Sequence, residues 1–364
     1  MENRVIFHVD FDYFYAQCEE IRNLELRTKP VAICIFSDRG EDSGAIATAN
    51  YKAREYGVKS GIPIKFAKNR LSGQKDAVFI PADFDYYSQV SSDGMKIIES
   101  FGDIFEYVGR DEAYLDVTIK TRNNFENAGH LAQQLKNEIR KKLKMTCSVG
   151  VSPNKLLSKI ASDFKKPDGL TIIKPEQISE FLSPLAIRNI PGIGEKTELV
   201  LSEIDCKIIK DLLSKDIFEL NNKFGRKTGT YIYNAARGID LEPVKEKQST
   251  IQFSKITTLK KNSKNYEFLC ENLLKLCKQI HVTTLENNKM FRSIGIQFVN
   301  EDLSMKTKSK MLKNHTANLD ELERTATYLL NEALRDQELL VRRLGVRISE
   351  LTDLKGQSNI TNYF

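Results

Sequence analysis

The 364-residue chain contains no tryptophan, only four histidines and nine prolines, and six cysteines, none of which form a C-x-x-C pair. A structural zinc site needs four close Cys or His ligands, and scattered ones do not supply it. The cysteines, at 18, 34, 147, 206, 270 and 277, suit a reducing compartment, where they act as small buried hydrophobes. The longest apolar run, Val31–Phe36, falls far short of the roughly 18 residues that span a bilayer. Asp10 and Asp12 interrupt the first apolar stretch, so it does not read as a secretion signal. A cytoplasmic protein is expected. With 41% hydrophobic and 29% charged residues, the chain can bury real cores. At about 150 residues per domain, two or three domains are expected.

Up to about residue 172, strands and helices alternate without the regular spacing of a doubly wound sheet, which reads as an α+β domain. Strands are expected at 5–9, 31–36, 46–49, 103–108, 112–118 and 146–151, and helices at 13–21, 50–57, 84–99 and 126–143. A helical region over 174–236 contains Pro191-Gly192-Ile193-Gly194, a tight interhelical turn. The polar stretch 238–249 suits a linker. Residues 251–350 read strand, helix, strand, strand, helix, strand, a split βαβ pattern with both helices on one face. This window holds 17 Lys/Arg against 12 Asp/Glu, most of the chain's net +6. The helical stretches 265–288 and 314–340 carry −1 and −4, so the strand-bearing remainder is +10. A basic sheet opposite acidic helices has the polarity of a phosphate-tracking surface; the plainer reading is a solvated basic face.

Asp10 and Asp12 stand at the end of an apolar strand, where residues two apart share a face. Carboxylates there suit a hard divalent cation, or Asp12 caps the following helix. Asp111-Glu112 follows Gly109 and Arg110, a hairpin-tip pattern. If the two regions meet, three carboxylates can hold two cations and assist an in-line phosphoryl displacement. Between them, Tyr51 and Arg54 lie one helical turn apart and could grip a triphosphate. Lys165-Lys166-Pro167-Asp168-Gly169 is a second basic turn.

Together these segments resemble the Y-family, lesion-bypass DNA polymerases, in the DinB branch with its archaeal members. The resemblance is carried by His8-Val9-Asp10-Phe11-Asp12-Tyr13-Phe14-Tyr15-Ala16, Ala47-Thr48-Ala49-Asn50-Tyr51-Lys52-Ala53-Arg54, Asp111-Glu112-Ala113-Tyr114-Leu115-Asp116, Val149-Gly150-Val151-Ser152-Pro153-Asn154-Lys155 and Lys166-Pro167-Asp168-Gly169. Arg342-Arg343-Leu344-Gly345-Val346-Arg347 matches the last strand, and order and spacing agree over about residues 4–350.

The resemblance implies an α+β right-hand polymerase. A ferredoxin-like palm would occupy 1–18 and 82–172, and small fingers 19–81. A helical thumb with a helix-hairpin-helix would occupy 173–237, a linker 238–249, a βαββαβ little finger 250–350 and a flexible tail 351–364. It implies that Asp10, Asp111 and Glu112, with the Phe11 carbonyl, hold two Mg²⁺ ions, leaving Asp12 structural. Tyr15, Thr48, Tyr51, Arg54 and Lys166 would bind the incoming deoxynucleoside triphosphate, with Tyr15 as the steric gate against a 2′-hydroxyl. Gly192, Gly194 and Lys196 would anchor a DNA phosphate, and Lys255, Arg292, Arg342, Arg343 and Arg347 would track primer-template DNA. Gln357, Ile360, Tyr363 and Phe364 resemble a sliding-clamp-binding peptide. The implied enzyme is a monomeric, low-fidelity DNA polymerase, cytoplasmic and nucleoid-associated. Gly109 and Arg110 depart from the family's usual Ser and apolar residue. The alternatives weighed against it are a palm-type nucleotide cyclase and a catalytically dead DNA-binding scaffold tethered to the clamp.

Overall fold

The computed structural model describes residues 4–40, 42–246, 250–335 and 337–354. The clamp-peptide residues Gln357, Ile360, Tyr363 and Phe364 lie outside them. The chain groups into two units, Met1–Ile35 with Ala45–Gln248, and Phe36–Gly44 with Ser249–Phe364.

The first unit opens with β1 (Ile6–Phe11), wholly buried along its length, and α1 (Phe14–Arg22). Tyr13 between them takes a left-handed conformation, φ 35°, which reverses the chain within two residues. β2 (Val31–Phe36), β3 (Gly44–Ala49), α2 (Tyr51–Glu55), α3 (Ile64–Arg70) and β4 (Val78–Pro81) build a small sheet in the order β3-β2-β4 with its own apolar core. α4 (Phe84–Phe101), β5 (Ile104–Tyr107), β6 (Glu112–Asp116), α5 (Phe125–Leu143), β7 (Cys147–Ser152), α6 (Lys155–Phe164) and β8 (Leu170–Ile172) complete a larger one. Its order is β5-β6-β1-β7-β8, with β1 antiparallel to both β6 and β7. The central strand is therefore β1, whose near-continuous apolar run reflects burial on both faces.

The seat of α6 depends on one glycine. Gly150 of β7 pairs with His8 of β1. A Cβ at Gly150 would lie 2.0 Å from the Ser158 carbonyl oxygen and 2.5 Å from the Ser162 nitrogen. Its missing side chain is what lets α6 drop onto the sheet over His8.

Helices α7 (Ile178–Leu182), α8 (Glu195–Ser202), α9 (Ile209–Leu213), α10 (Ile217–Phe224) and α11 (Arg226–Ala236) follow. They enclose a third apolar cluster that includes Leu182, Ile190, Leu201 and Ile232. The expected helical region over 174–236 is thus present, broken into short pieces.

The second unit runs β9 (Gln252–Ser263), α12 (Tyr266–Glu286), β10 (Lys289–Asn300), β11 (Met305–Thr316), α13 (Leu319–Leu334), β12 (Val341–Ser349), and a short β13 (Thr352–Asp353) beside β10. The expected βαββαβ order is observed, as an antiparallel sheet β11-β10-β12-β9. Leu269, Leu273, Leu322 and Leu330 of the helices close its core against Ile294, Phe298, Leu344 and Ile348.

The element expectations hold with modest shifts at their ends. Five elements were not anticipated: β4, β8, β13, α3 and α6. The three strands are short and only partly buried, and α3 lies in a Lys-rich segment with weak apolar periodicity. Among the described residues, no helix is long and apolar enough to cross a membrane. All six cysteines are free, and five are buried.

Candidate active site

Three adjacent features of the first sheet bring acidic groups together. β1 ends in Asp10 and Phe11, and its register puts Asp10 opposite Glu112, the first residue of β6. The hairpin between β5 and β6 turns at Gly109 and Arg110, with the Gly109 N–H donating to the Glu112 carbonyl at 3.1 Å. That turn carries Asp111 to the same end, where its carbonyl accepts from the Phe11 N–H at 2.8 Å. Residues 100 apart in sequence thus meet because β1 and β6 are neighbours.

Over this end lies α6. Its Lys159 ammonium is 2.6 Å from Glu112 Oε2 and 3.2 Å from Asp10 Oδ2. Lys166, just beyond the helix, is 2.7 Å from Asp10 Oδ1 and 2.9 Å from Asp163. The charges are strongly coupled. Contact with His8 and the Lys159 ammonium hold the Glu112 carboxyl down, against burial, at about 2. Asp111 shifts the other way. Although exposed at the surface, it is raised by desolvation and then by the Asp10 and Glu112 carboxylates, while Lys159 opposes the rise. Lys159 and Lys166 are both raised by Asp10 and Asp163 against the pull of burial.

The one group of His, Cys, Asp and Glu among the described residues whose ligand atoms all fall within 4.8 Å of one another is His8, Asp10 and Glu112. That differs from the expected trio, because Asp111 sits in the bend before β6 while His8 shares a strand face with Asp10. Asp10 and Glu112 offer hard oxygens whose charge lysine ammoniums balance here, a donor chemistry that fits a divalent cation.

Asp12 is not on this face. It is fully buried and accepts from Thr146 Oγ1 and Ser148 Oγ, each at 2.7 Å, and from the Asp168 N–H at 2.8 Å. The shared face that alternation gave Asp10 and Asp12 is corrected: β1 ends at Phe11, and the left-handed turn at Tyr13 breaks the alternation. Nor does Asp12 cap α1, whose N-cap residue is Tyr13. It pins the start of α1 to β7 and to the turn after Lys166.

Tyr15 of α1 is stacked on Tyr87, with ring centroids 4.7 Å apart at 18°, and meets the edge of Phe84. Its ring is therefore fixed in place. Tyr51 and Arg54 share one face of α2 as expected, the guanidinium 4.9 Å from the ring centroid. The Tyr51 hydroxyl is buried without a hydrogen-bond partner, and Arg54 Nε donates to the Ala49 carbonyl at 2.8 Å. Thr48 lies half-buried on β3, one strand residue before Ala49.

In the helical segment, Gly192 has φ +85° and Gly194 precedes the first turn of α8. A Cβ at Gly194 would touch nothing within 4 Å, so the backbone there stands open. Lys196 is exposed on α8.

In the second unit, Arg343 and Arg347 are exposed and four residues apart on one face of β12, either side of Gly345. They point away from the core-facing Leu344, Val346 and Ile348. Arg342 is half-buried, and Arg292 is half-buried with Glu350 at 3.7 Å. Lys255 is exposed but registers with core-facing Val346, so, against expectation, it lies on the helix side rather than beside Arg343 and Arg347. The simple picture of a basic sheet opposite acidic helices needs correction. Lys306, Lys308 and Lys310 of β11 register with core residues Phe298, Ile296 and Ile294, and so lie on the helix side. Lys308 donates to the Glu332 carbonyl, and Lys310 covers the Tyr328 ring. β11 is an edge strand, so its lysines reach solvent from either face.

His8, Lys159, Ser162, Thr146 and Ser148 were not singled out from sequence. His8 carried a usable signal, its two-residue spacing from Asp10. Lys159 did not, because nothing local places α6 over β1.

The comparisons with known proteins cover nearly the whole chain. Residues 9–163 match the impB/mucB/samB family, 188–240 the DNA polymerase-iota thumb domain, and 251–361 the impB/mucB/samB family C-terminal domain. A DNA polymerase IV of Nitrosopumilus maritimus is 63% identical over 364 residues, the full length of both chains. One from Methanosarcina acetivorans is 38% identical over 370 aligned positions, again covering both chains in full. Among solved structures, a Dbh–Dpo4–Dbh Y-family DNA polymerase chimera aligns with a TM-score of 0.89 at 36% identity, over 96% of this chain and 99% of that one. An insertion ternary complex of Dbh DNA polymerase aligns at 0.69 and 37% identity, over 95% and 98%. With relatives this similar over their whole length, the chain belongs to the Y family of DNA polymerases, in its DinB or DNA polymerase IV branch.

Proposed function

We propose that Asp10, Asp111 and Glu112, with the Phe11 carbonyl, hold two Mg²⁺ ions through which this polymerase joins a deoxynucleotide to a primer end. The enzyme is a DNA-directed DNA polymerase of the translesion type, metal-dependent like its family, with DNA and nucleoside triphosphates as substrates. The observation that carries the residue assignment is the register pairing of Asp10 with Glu112, with Asp111 close enough for its carboxyl to respond to both. When bound, the ions supply positive charge that favours the deprotonated primer hydroxyl and offsets charge on departing pyrophosphate.

The chain's own residues do the rest. Tyr51, Arg54 and Lys166, with Thr48, bind the triphosphate; Lys166 exchanges its carboxylate partner for phosphate oxygens. Tyr15 bars a 2′-hydroxyl with a ring that Tyr87 and Phe84 hold still. Asp12 keeps α1, and therefore Tyr15, in register with the strand ends. Gly192, Gly194 and Lys196 hold a DNA phosphate on exposed backbone N–H groups and an ammonium. Arg292, Arg342, Arg343 and Arg347 track the duplex without reading its bases.

We also propose a palm over 1–18 and 82–172, fingers over 19–81, a thumb over 173–237 and a little finger over 250–350, joined through 238–249. In this reading the enzyme is a cytoplasmic, nucleoid-associated monomer. Gln357, Ile360, Tyr363 and Phe364 plug an apolar pocket of a sliding clamp, which raises the local concentration of primer ends. Extension of a primed template, undamaged and with an abasic site, tests the activity. Loss of extension in Asp111→Ala at all Mg²⁺ concentrations is expected, and unchanged extension would overturn the assignment.

A further inference from the structure

We propose that Arg110 is a positioning residue for sugar selection. It fastens the hairpin that carries Asp111 and Glu112 to the aromatic cluster that holds the Tyr15 ring. This deepens the gating role proposed for Tyr15 and rests on it. Arg110 acts through Phe84, not on the nucleotide.

Arg110 stands at the hairpin tip, directly before Asp111, where the family usually has an apolar residue. It is exposed, and an exposed guanidinium is ordinarily left to water. This one is engaged on α4. Its Nε donates to Ser88 Oγ at 3.2 Å. Ser88 gives its single hydroxyl proton to the Phe84 carbonyl at 2.7 Å, which leaves its oxygen to accept. The guanidinium carbon lies over the Phe84 ring, 5.5 Å from the centroid, within reach of a cation–π attraction. The Arg110 carbonyl accepts from Ser91 Oγ at 2.6 Å, and Ser91 is buried. Arg110 therefore holds Phe84 by its ring and, through Ser88, by its main chain, while Ser91 holds the hairpin.

Phe84 in turn meets Tyr15, with ring centroids 5.8 Å apart at 84°. The two walls of Tyr15 differ in stiffness. Tyr87 is fully buried and its hydroxyl donates to Glu19 at 2.8 Å, so the stacked face is fixed from within the core. Phe84 is the first residue of α4 and only half-buried, so its ring needs a support from outside the core. Arg110 supplies it. A ring rejects a 2′-hydroxyl only if it cannot yield by about half an ångström. An apolar side chain at the hairpin tip could cover Phe84, but it could neither donate to Ser88 nor attract the ring's electron-rich face. Through Arg110, the turn that carries Asp111 and the ring that tests the sugar belong to one connected set of contacts.

The test is single-nucleotide incorporation by the full-length enzyme, comparing ribonucleotide with deoxynucleotide kcat/KM on one primer-template. Arg110→Ala should raise the ribonucleotide-to-deoxynucleotide ratio about 3-fold, with deoxynucleotide kcat/KM within about 2-fold of its original value. Ser88→Ala, which cuts only the bridge to the Phe84 carbonyl, should raise the ratio about 2-fold. In a Tyr15→Ala background neither change should raise it further, because the ring through which both act is gone. A merely structural Arg110 would not show that dependence, since lost stability lowers the use of both sugars alike.

A ratio unmoved by Arg110→Ala, where Tyr15→Ala raises it, overturns the proposal and spares the gate. An equal rise with and without the Tyr15 ring overturns it too, because Arg110 would then act elsewhere. Weaker primer-template binding at an unchanged ratio would make Arg110 a DNA contact instead. A ratio unmoved by Tyr15→Ala itself sinks the gate and the proposal together.

Discussion

The larger sheet of the first unit and the sheet of the second handle charge in opposite ways. The sheet of the first unit, with the helices against it, buries ionisable groups: His8, Asp10, Asp12, Glu19, Glu20 and Lys136. In the second unit, the buried polar residues among those described are Ser263, Thr284, Asn300, Thr325 and Gln337, none of them charged. Its basic residues sit at the surface or are half-buried. Burying a charge costs several kcal/mol unless partners satisfy it, so a chain does so where position must be held closely. Chemistry on a reacting phosphate needs that fixity. Holding a duplex of any sequence does not, and exposed cations on mobile stems suffice.

The largest expected effects are on the buried side. Asp10→Asn should lower primer extension by about 10³-fold or more while the protein stays folded. Extension within a few-fold of normal would break the contrast at its strongest point. Asp12→Ala should instead act on stability, by about 3 kcal/mol in urea unfolding. It leaves Thr146, Ser148 and the Asp168 N–H without their acceptor. An unfolding midpoint unchanged by Asp12→Ala would mean that the network is decorative.

These two aspartates also show what sequence alone makes legible. The meeting of Asp10 with Asp111 and Glu112 at adjacent strand ends was readable because each lies in a contiguous motif. The split βαβ pattern was readable because its strands and helices are long and alternate plainly. Asp12's role came out only as an implication of resemblance, since strand alternation put it beside Asp10. A single left-handed residue, Tyr13, ends that alternation, and no periodicity announces it. His8 and Lys159 depend on α6 resting over β1, which in turn depends on Gly150 in a different strand. Such long-range contacts leave no local trace. The β11 lysines were misread for a related reason: net charge per segment does not say which face a strand turns to the helices, and register does.

Smaller effects sharpen the comparison. Tyr15→Ala should raise ribonucleotide incorporation relative to deoxynucleotide by about 10²-fold in single-nucleotide kinetics, with deoxynucleotide use less affected. An unchanged ratio would take the gate away from this ring. Replacing Arg343 and Arg347 together by Ala should weaken DNA binding equally across sequences and reduce the salt slope by about 2, read by titration at several salt concentrations. A sequence-dependent loss would mean that this surface reads bases. Removal of 357–364 should have the smallest effect on the isolated enzyme, sparing basal extension while abolishing stimulation by a sliding clamp. Equal loss of both would refute tethering.

The central claim is that Asp10, Asp111 and Glu112 together hold the reactive cations. Anomalous diffraction from crystals grown with Mn²⁺, primer-template and an incoming nucleotide tests it most directly. The account predicts two manganese peaks bridged by these three side chains, with the Lys159 and Lys166 ammoniums drawn off the carboxylates they now contact. Peaks elsewhere, or both lysines still seated on Asp10, would contradict it.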